Sequence, residues 1–176
     1  RRPMNRILRW TCVLALLSAG LAAPAAAGEH RLGLGLHYWQ SLNQLDNDFP
    51  DFEVQDDGLS EVVSYQYLAG FIRFEAAAEY FDKGFQGSHD WAISPQVYVL
   101  AGRGFYGGLG VGVTYSDFAN GSWSDPYYIA KAGIDFLLLP KIHLDINADY
   151  RFLKWEDLDN YDSDTITFGA TVRVGF

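Results

Sequence analysis

Residues 142–152 alternate strictly between apolar and polar side chains, and this pattern constrains the fold of the chain more than any other feature. A period of two residues places successive side chains on opposite faces of a β-strand, whereas an α-helix would spread the apolar residues around its axis. The segment is therefore predicted to be a strand with one apolar face and one charged face. The apolar face carries Ile142, Leu144, Ile146, Ala148, Tyr150 and Phe152. The charged face carries His143, Asp145, Asn147, Asp149 and Arg151.

The same alternation recurs along the chain, and aromatic residues and glycines, both frequent in this sequence, are typical of β-structure with tight turns. Strands of about ten residues match the length that crosses a bilayer in a tilted β-barrel. We therefore predict eight strands in all. The other seven segments are 31–39, 59–68, 72–80, 91–101, 105–115, 128–138 and 165–176.

The links between these segments alternate between short and long. Short periplasmic turns alternating with longer outer loops are typical of transmembrane barrels. With eight strands, both chain termini of the barrel would lie on the side of the short turns. The short links are 69–70, 102–104 and 140–141, and the long links are about 41–58, 82–90, 116–126 and 154–164.

Residues 1–28 have the three parts of a secretory signal peptide: a basic start, an apolar run at 10–23 and small residues at 25–27. A membrane anchor is the alternative, but the run of about 14 residues is shorter than the roughly 20 that a spanning helix needs. Cys12 would leave with the signal peptide, so the barrel domain at 29–176 contains no disulfide and no cysteine-based zinc site.

The charge of the chain limits its partners. The formal net charge is −9, and removal of residues 1–28 takes away four arginines and no acid, which leaves −13. An acidic chain without clustered Lys and Arg is not expected to bind nucleic acid. Secretion then leaves a soluble periplasmic protein, an extracellular protein or an outer-membrane barrel.

The distribution of side chains favours the membrane barrel over a soluble sandwich, which also alternates. Glycines and charges of both signs share the polar face, as a narrow filled lumen requires, whereas the apolar face is uniform and edged with aromatic residues. Closure of the sheet satisfies every backbone group, which lipid demands. The predicted fold is all-β, an eight-stranded antiparallel up-and-down transmembrane β-barrel.

The signal peptide, the eight alternating segments and the closing strand 165–176 together resemble the small eight-stranded outer-membrane barrels of the OmpA/OmpX type. The resemblance implies the outer membrane of a Gram-negative bacterium, with outer-membrane lipid and lipopolysaccharide as partners. In such proteins a last strand ending in Phe is read by the barrel-assembly machinery, which would assign that role to Phe176. The resemblance implies no cofactor.

Ten charged residues are assigned to the inward face, five of each sign. Charges buried in an eight-stranded barrel must be paired, because its interior is only wide enough for side chains. Two interpretations stay open: a structural plug of ion pairs, and a narrow gated ion path in which pairs exchange partners. The ten residues are Arg31, Arg73, Glu75, Glu79, Lys131, Asp135, Asp145, Asp149, Arg151 and Arg173.

Two of the long links are acidic. They are interpreted either as solvated charged loops or as sites for divalent cations at the outer surface, where oxygen ligands suit Ca²⁺ or Mg²⁺. Neither run has the spacing of an EF-hand, and no dedicated metal site is predicted. The first run carries Asp46, Asp48, Asp51, Glu53, Asp56 and Asp57, and the second carries Glu156, Asp157, Asp159, Asp162 and Asp164.

Catalysis is the third function class. His37 should point inward near the outer rim, with Ser60 and Ser64 on the partner strand within reach. Some eight-stranded barrels modify lipid A with Ser and His chemistry, and the run 143–145 has a comparable spacing but lacks the Ser. No catalytic residue is therefore predicted. The leading expectation is a structural or surface-interaction role, with a porin-like channel or small-molecule conduit and a lipid A-modifying enzyme as alternatives.

Overall fold

The computed structural model describes residues 28–41, 57–82, 91–116, 122–153 and 165–176. They form ten strands and belong to one sheet. The signal peptide predicted at 1–28 lies outside the described residues except for Gly28. The strands are β1 (Glu29–Ser41), β2 (Asp57–Ala69), β3 (Ile72–Asp82), β4 (Trp91–Gly102), β5 (Phe105–Gly112), β6 (Tyr115–Ser116), β7 (Ser122–Trp123), β8 (Tyr127–Leu139), β9 (Ile142–Phe152) and β10 (Thr165–Gly175).

Eight long strands close into a barrel. Their order is β3-β2-β1-β10-β9-β8-β5-β4, all neighbours are antiparallel, and pairing of β3 with β4 completes the ring. Following paired residues around the barrel from Arg31 leads back to β1 at Ser41, ten residues farther along the strand. This stagger requires the strands to tilt relative to the barrel axis. The predicted eight-stranded antiparallel barrel is confirmed.

The barrel is apolar outside and polar inside. On β1 the outward Leu32, Leu34 and Leu36 are 53–68% exposed, whereas the inward Arg31 and His37 are buried. The other long strands repeat this alternation in their apolar outward positions. An apolar outer surface of this extent is typical of a protein that contacts lipid. Within the described residues, no helix has the length and apolar character needed to cross a membrane.

The strand predicted at 105–115 is interrupted. β5 ends at Gly112, and pairing resumes only at Tyr115 in β6, which also pairs with β7. Pro95 on β4 lies opposite the interruption: the Val113 amide donates to the Pro95 carbonyl at 3.2 Å. Since proline has no N–H, the reciprocal bond cannot form, and the ladder breaks here without a change of register.

The three tight turns lie within one residue of their predicted positions, at 70–71, 103–104 and 140–141. Two of them use the left-handed region of the backbone. Gly70 has φ of 67°, and Lys141 has φ of 69° although it carries a side chain.

The start of β1 and the end of β10 both lie on the side of these tight turns. The Gly175 amide donates to the Lys141 carbonyl at 2.7 Å, and the Phe176 amide donates to the His30 carbonyl at 2.9 Å. We call this side the short-turn end and the opposite side the long-loop end. The long links at the long-loop end lie mostly outside the described residues.

Aromatic side chains edge the apolar band at the long-loop end. Tyr80, Trp91, Tyr115 and Trp123 form a row across neighbouring strands, with ring centroids 6.5, 5.7 and 5.2 Å apart in turn. Amphipathic rings of this kind are enriched where a bilayer meets water. The row therefore marks the level of one membrane interface.

Candidate functional site in the barrel interior

The structure places all ten of the charged residues assigned to the inward face inside the barrel, where none of their side chains is more than 6% exposed. Inward positions of eight strands converge on a space only as wide as the side chains themselves. The charges fall into three groups along the barrel axis. Arg31, Arg73 and Asp135 lie at the short-turn end, Glu75, Lys131, Asp145, Asp149 and Arg173 lie in the middle, and Glu79 and Arg151 lie toward the long-loop end.

Asp135 is the centre of the short-turn group. Its Oδ2 accepts from Nη1 of both Arg31 and Arg73, the latter at 2.9 Å. Its Oδ1 lies 2.8 Å from Nδ1 of His143. Glu29, at the rim and 45% exposed, bonds Nε of Arg31 at 2.7 Å. This group therefore borders solvent on one side.

The middle group is built around Glu75 and Arg173. The two are 3.3 Å apart, Gln66 donates to Glu75 at 2.5 Å, and Lys131 approaches the same carboxylate at 3.4 Å. Arg173 also lies 3.4 Å from Asp145. Each buried charge thus faces opposite charges on other strands, which is what burial of ions demands.

Asp145 and Asp149 occupy inward positions of β9 on either side of Asn147 but are bonded unequally. Asp145 accepts hydrogen bonds from Tyr106 at 2.7 Å and Asn147 at 2.9 Å. Asp149 lies 3.5 Å from the ammonium of Lys131, and neither of its oxygens accepts a hydrogen bond from the described residues. Asp149 is therefore the least stabilised carboxylate of the interior.

Glu79 is the centre of the group toward the long-loop end. It is fully buried and pairs with Arg151. It also accepts from Ser60 at 2.6 Å and Gln96 at 3.1 Å, and Nδ1 of His37 lies 3.1 Å away. Four strands other than its own contribute to this one carboxylate.

Aromatic side chains cover the Glu79 group. Trp39 and Phe81 follow His37 and Glu79 at the next inward position toward the long-loop end. Both rings are buried, with centroids 6.3 Å apart in an edge-on arrangement. The guanidinium of Arg151 lies 5.1 Å from the Phe81 ring centre, within range of a cation–π contact. The Glu79 group is therefore shielded from the long-loop end.

Inward glycines provide space for the larger interior side chains. A Cβ on Gly110 would lie 2.4 Å from the Tyr98 ring, and one on Gly169 would lie 1.9 Å from the His37 ring. The glycine-rich run at 102–112 is thus one part of the wall against which interior rings pack. Such glycines allow a narrow barrel to hold rings as well as ion pairs.

The histidine and serines do not form a nucleophilic relay. His37 and Ser60 pair across β1 and β2, but both bond to Glu79, so the hydroxyl donates to the carboxylate. Ser64 accepts from Arg173 at 2.5 Å. A nucleophile needs its base within hydrogen-bond reach and access to substrate, and these groups are buried. Within the described ranges, no group of three or more His, Cys, Asp or Glu could hold a metal ion.

Only one residue of the two acidic runs is described. Asp57, at the start of β2, accepts from the Tyr38 hydroxyl at 2.7 Å. The strands that the runs connect are neighbours, because β1 pairs with both β2 and β10 and Ser41 lies opposite Thr165. The strand ends that border both runs therefore lie on one arc of the rim. The residues outside the description are Asp46, Asp48, Asp51, Glu53, Asp56, Glu156, Asp157, Asp159, Asp162 and Asp164.

Sequence reasoning missed the polar residues at the short-turn rim. Glu29 precedes Arg31 by two residues, a spacing that places both on the inward face. The position of Glu29 could therefore have been predicted from the sequence. Arg103 stands between two glycines in a tight turn, and nothing in the pattern indicates that it faces the barrel mouth. Phe176, assigned to assembly, is exposed and stacks on His30 with centroids 5.8 Å apart.

The sequence matches no protein-family model, and no curated protein matches it. Similarity appears among solved structures. Neisserial surface protein A is 15% identical with a TM-score of 0.58, over 88% of this chain and all of that chain. The N-terminal β-barrel domain of Pseudomonas aeruginosa OprF is 11% identical with a TM-score of 0.50, over 85% of this chain and 97% of that domain.

These likenesses concern the fold. The chain has the architecture of the small eight-stranded outer-membrane barrels of the OmpA/OmpX type, as the alternation in its sequence predicted. At this level of identity the function of the similar proteins does not transfer.

Proposed function

We propose that this chain is a bacterial outer-membrane barrel with a structural or surface-interaction role, exported by the segment at 1–28. The single observation that supports it most is the ion-paired interior: ten buried charges, five of each sign, extend from the short-turn end to the aromatic cover. Breaking such pairs to pass a solute would leave unpaired charges in a narrow space. Because the interior is filled, we expect the barrel to act through its surfaces.

The outer surface is proposed to act through the acidic runs. They carry eleven carboxylates, and the four strands that they connect are neighbours in the sheet. Carboxylates clustered at an outer-membrane surface suit divalent cations, which would bridge them to the phosphates of lipopolysaccharide. Phe176 is proposed as the contact for the barrel-assembly machinery.

Titration with lipopolysaccharide tests this role. The barrel, refolded in zwitterionic micelles, is titrated with and without Mg²⁺, and binding is followed by tryptophan fluorescence, to which Trp155 beside the second acidic run contributes. Mg²⁺ should tighten binding about tenfold, as expected for one or two bridged ions. The double variant Asp46→Asn/Asp48→Asn should lose most of this gain.

The matched control neutralises two exposed acids outside the runs, Asp82→Asn/Asp125→Asn, and should keep the gain from Mg²⁺. Equal losses in both double variants would reduce the effect to net charge. Binding that ignores both Mg²⁺ and a chelator would contradict the proposal.

A narrow cation path is the second candidate, and one observation favours it. In the middle and Glu79 groups four acids, Glu75, Glu79, Asp145 and Asp149, face three permanent cations, Lys131, Arg151 and Arg173. Buried oxygens without hydrogen bonds from the described residues line this part of β9 and β10: Thr167 lies opposite Asp149, Thr171 lies opposite Asp145, and Asn147 lies between the two acids. An excess negative charge beside such oxygens suits a small cation. In this case Asp149→Asn should reduce cation selectivity in bilayer recordings, with Asp82→Asn as the control.

Lipid A modification is the third candidate, and the geometry argues against it, since His37 and Ser60 are both bound to Glu79. Overexpression in a Gram-negative host should leave the lipid A mass spectrum unchanged. A new acylated or deacylated species that disappears in His37→Gln would contradict this expectation.

A further inference from the structure

A cleft of about 360 Å³ opens at the short-turn end of the barrel. This volume lies in the range of small-molecule sites. The strand ends that border the acidic runs lie at the opposite end of the barrel, and the proposed function makes no use of the cleft. Its lining combines three arginines with one acid, and comprises Glu29, Arg31, Leu68, Gly70, Arg73 and Arg103.

Arg73 is held rigidly but is not fully bonded. Its Nε donates to the Gly102 carbonyl at 2.9 Å, and its Nη1 donates to Asp135 at 2.9 Å. The guanidinium lies 4.5 Å from the centre of the Tyr106 ring. The side chain is 1% exposed, yet its Nη2 has no hydrogen-bond partner among the described residues. A buried charged donor left in this way favours an acceptor from outside.

Arg103 adds a second available donor group at the rim. Its Nε donates to the Gly70 carbonyl at 3.2 Å, and it forms no ion pair within the described part of the chain. The turn that carries it, 103–104, is exposed, so the guanidinium is accessible from solvent.

The charge balance of the cleft is positive. Among the described residues, the acids that pair with Arg31 and Arg73 are Glu29 and Asp135, and Asp135 Oδ2 is shared by both arginines. Glu29 is 45% exposed and bonds Arg31 at the rim, so it occupies the position of a carboxylate that an incoming anion could replace.

We propose that this cleft binds an oxyanion, the phosphate or carboxylate group of a small ligand. Arg73 and Arg103 donate to the oxyanion, and Glu29 competes with it for Arg31. Planar guanidinium groups suit this chemistry because their paired N–H donors match two oxygens of a phosphate or carboxylate. The phosphate can come from a soluble ligand or from an anionic lipid headgroup.

Phosphate binding to the folded barrel tests the proposal. The full barrel domain is refolded in zwitterionic micelles and titrated with inorganic phosphate at constant ionic strength, and the arginine Nε–H resonances are followed by NMR. Resonances of Arg73 and Arg103 should shift with one common, saturable Kd. A linear drift of all arginine resonances together would overturn the proposal.

Two variants should change the affinity for phosphate in opposite directions. Arg103→Gln removes an exposed donor and should weaken phosphate binding about tenfold, the value of one charge-assisted hydrogen bond. Glu29→Gln removes the competing carboxylate and should tighten binding several-fold. An unchanged Kd in both variants would contradict the site.

The control is Lys141→Gly, which removes one positive charge from another turn at the same end. Glycine accepts the positive φ of this position, and Lys141 does not line the cleft. Its Kd should stay within twofold of the unmodified barrel. A loss equal to that of Arg103→Gln would reduce the effect to general electrostatics and overturn the site.

The source of the anion is resolved in a second arm, in which phosphatidylglycerol is added to the micelles. If the lipid competes with phosphate in the unmodified barrel but not in Arg103→Gln, the ligand is a lipid headgroup. If phosphate binds and the lipid does not compete, the ligand is soluble. Failure of both to bind would remove the proposal without affecting the account of the outer surface.

Discussion

The two ends of the barrel interior hold similar chemistry in different surroundings. At the short-turn end Asp135 bonds Arg31 and Arg73 beside an open cleft. Toward the long-loop end Glu79 bonds Arg151 beneath buried aromatic rings and has no exposed surface. A carboxylate bound to arginine is thus part of a closed structural centre in one place, and in the other it holds two arginines that line an accessible cleft.

The difference shows that access of solvent, more than residue composition, determines the role of an ion pair. Both groups combine acids, arginines and a histidine. In the shielded group each side chain depends on its partners, because water cannot replace them. In the open group water can solvate a charge that has lost its partner, and salt can screen it.

Glu79→Gln should have the largest effect. It leaves Arg151 buried without its carboxylate, which should lower the free energy of unfolding by about 3–5 kcal/mol. Urea unfolding in lipid vesicles measures it. The control is Glu61→Gln on the adjacent strand, which makes the same chemical change on the outward face between Leu36 and Tyr80 and should cost less than about 0.5 kcal/mol.

Asp135→Asn should cost less, about 1–3 kcal/mol, because the two arginines that it leaves behind line a cleft from which water can enter. The cost should shrink when unfolding is repeated in about 1 M salt, where the screening length falls to roughly 3 Å. The cost of Glu79→Gln should not change with salt. Equal salt dependence of the two variants would show that solvent and ions reach both groups to the same extent.

Gly169→Ala should cost about 1–3 kcal/mol by overpacking the Glu79 group, since the new methyl would lie 1.9 Å from the His37 ring. Gly104→Ala, where nothing lies within 4 Å of the added carbon, serves as the control and should be nearly neutral. If both variants unfold at the same urea concentration, the interior near His37 is looser than the structure indicates.

The sequence predicted most of the barrel because its pattern is local. Alternation along 142–152 and 165–176 determined which side chains face inward, and the register then determined their neighbours. The break after Gly112 was not predicted, since it arises from Pro95 on a different strand. That Glu79 meets Arg151 depends on side-chain reach across the lumen, and a pattern along single strands carries no information about it.

A filled interior should carry no ions, and single-channel recording across a planar lipid bilayer measures this. The barrel is refolded, its folded state is verified by the mobility shift between heated and unheated samples, and the unmodified protein is recorded first. The account predicts a silent bilayer at moderate voltage. Discrete, reproducible openings whose ion selectivity changes in Asp149→Asn would contradict it and identify the interior charges as the lining of an ion path.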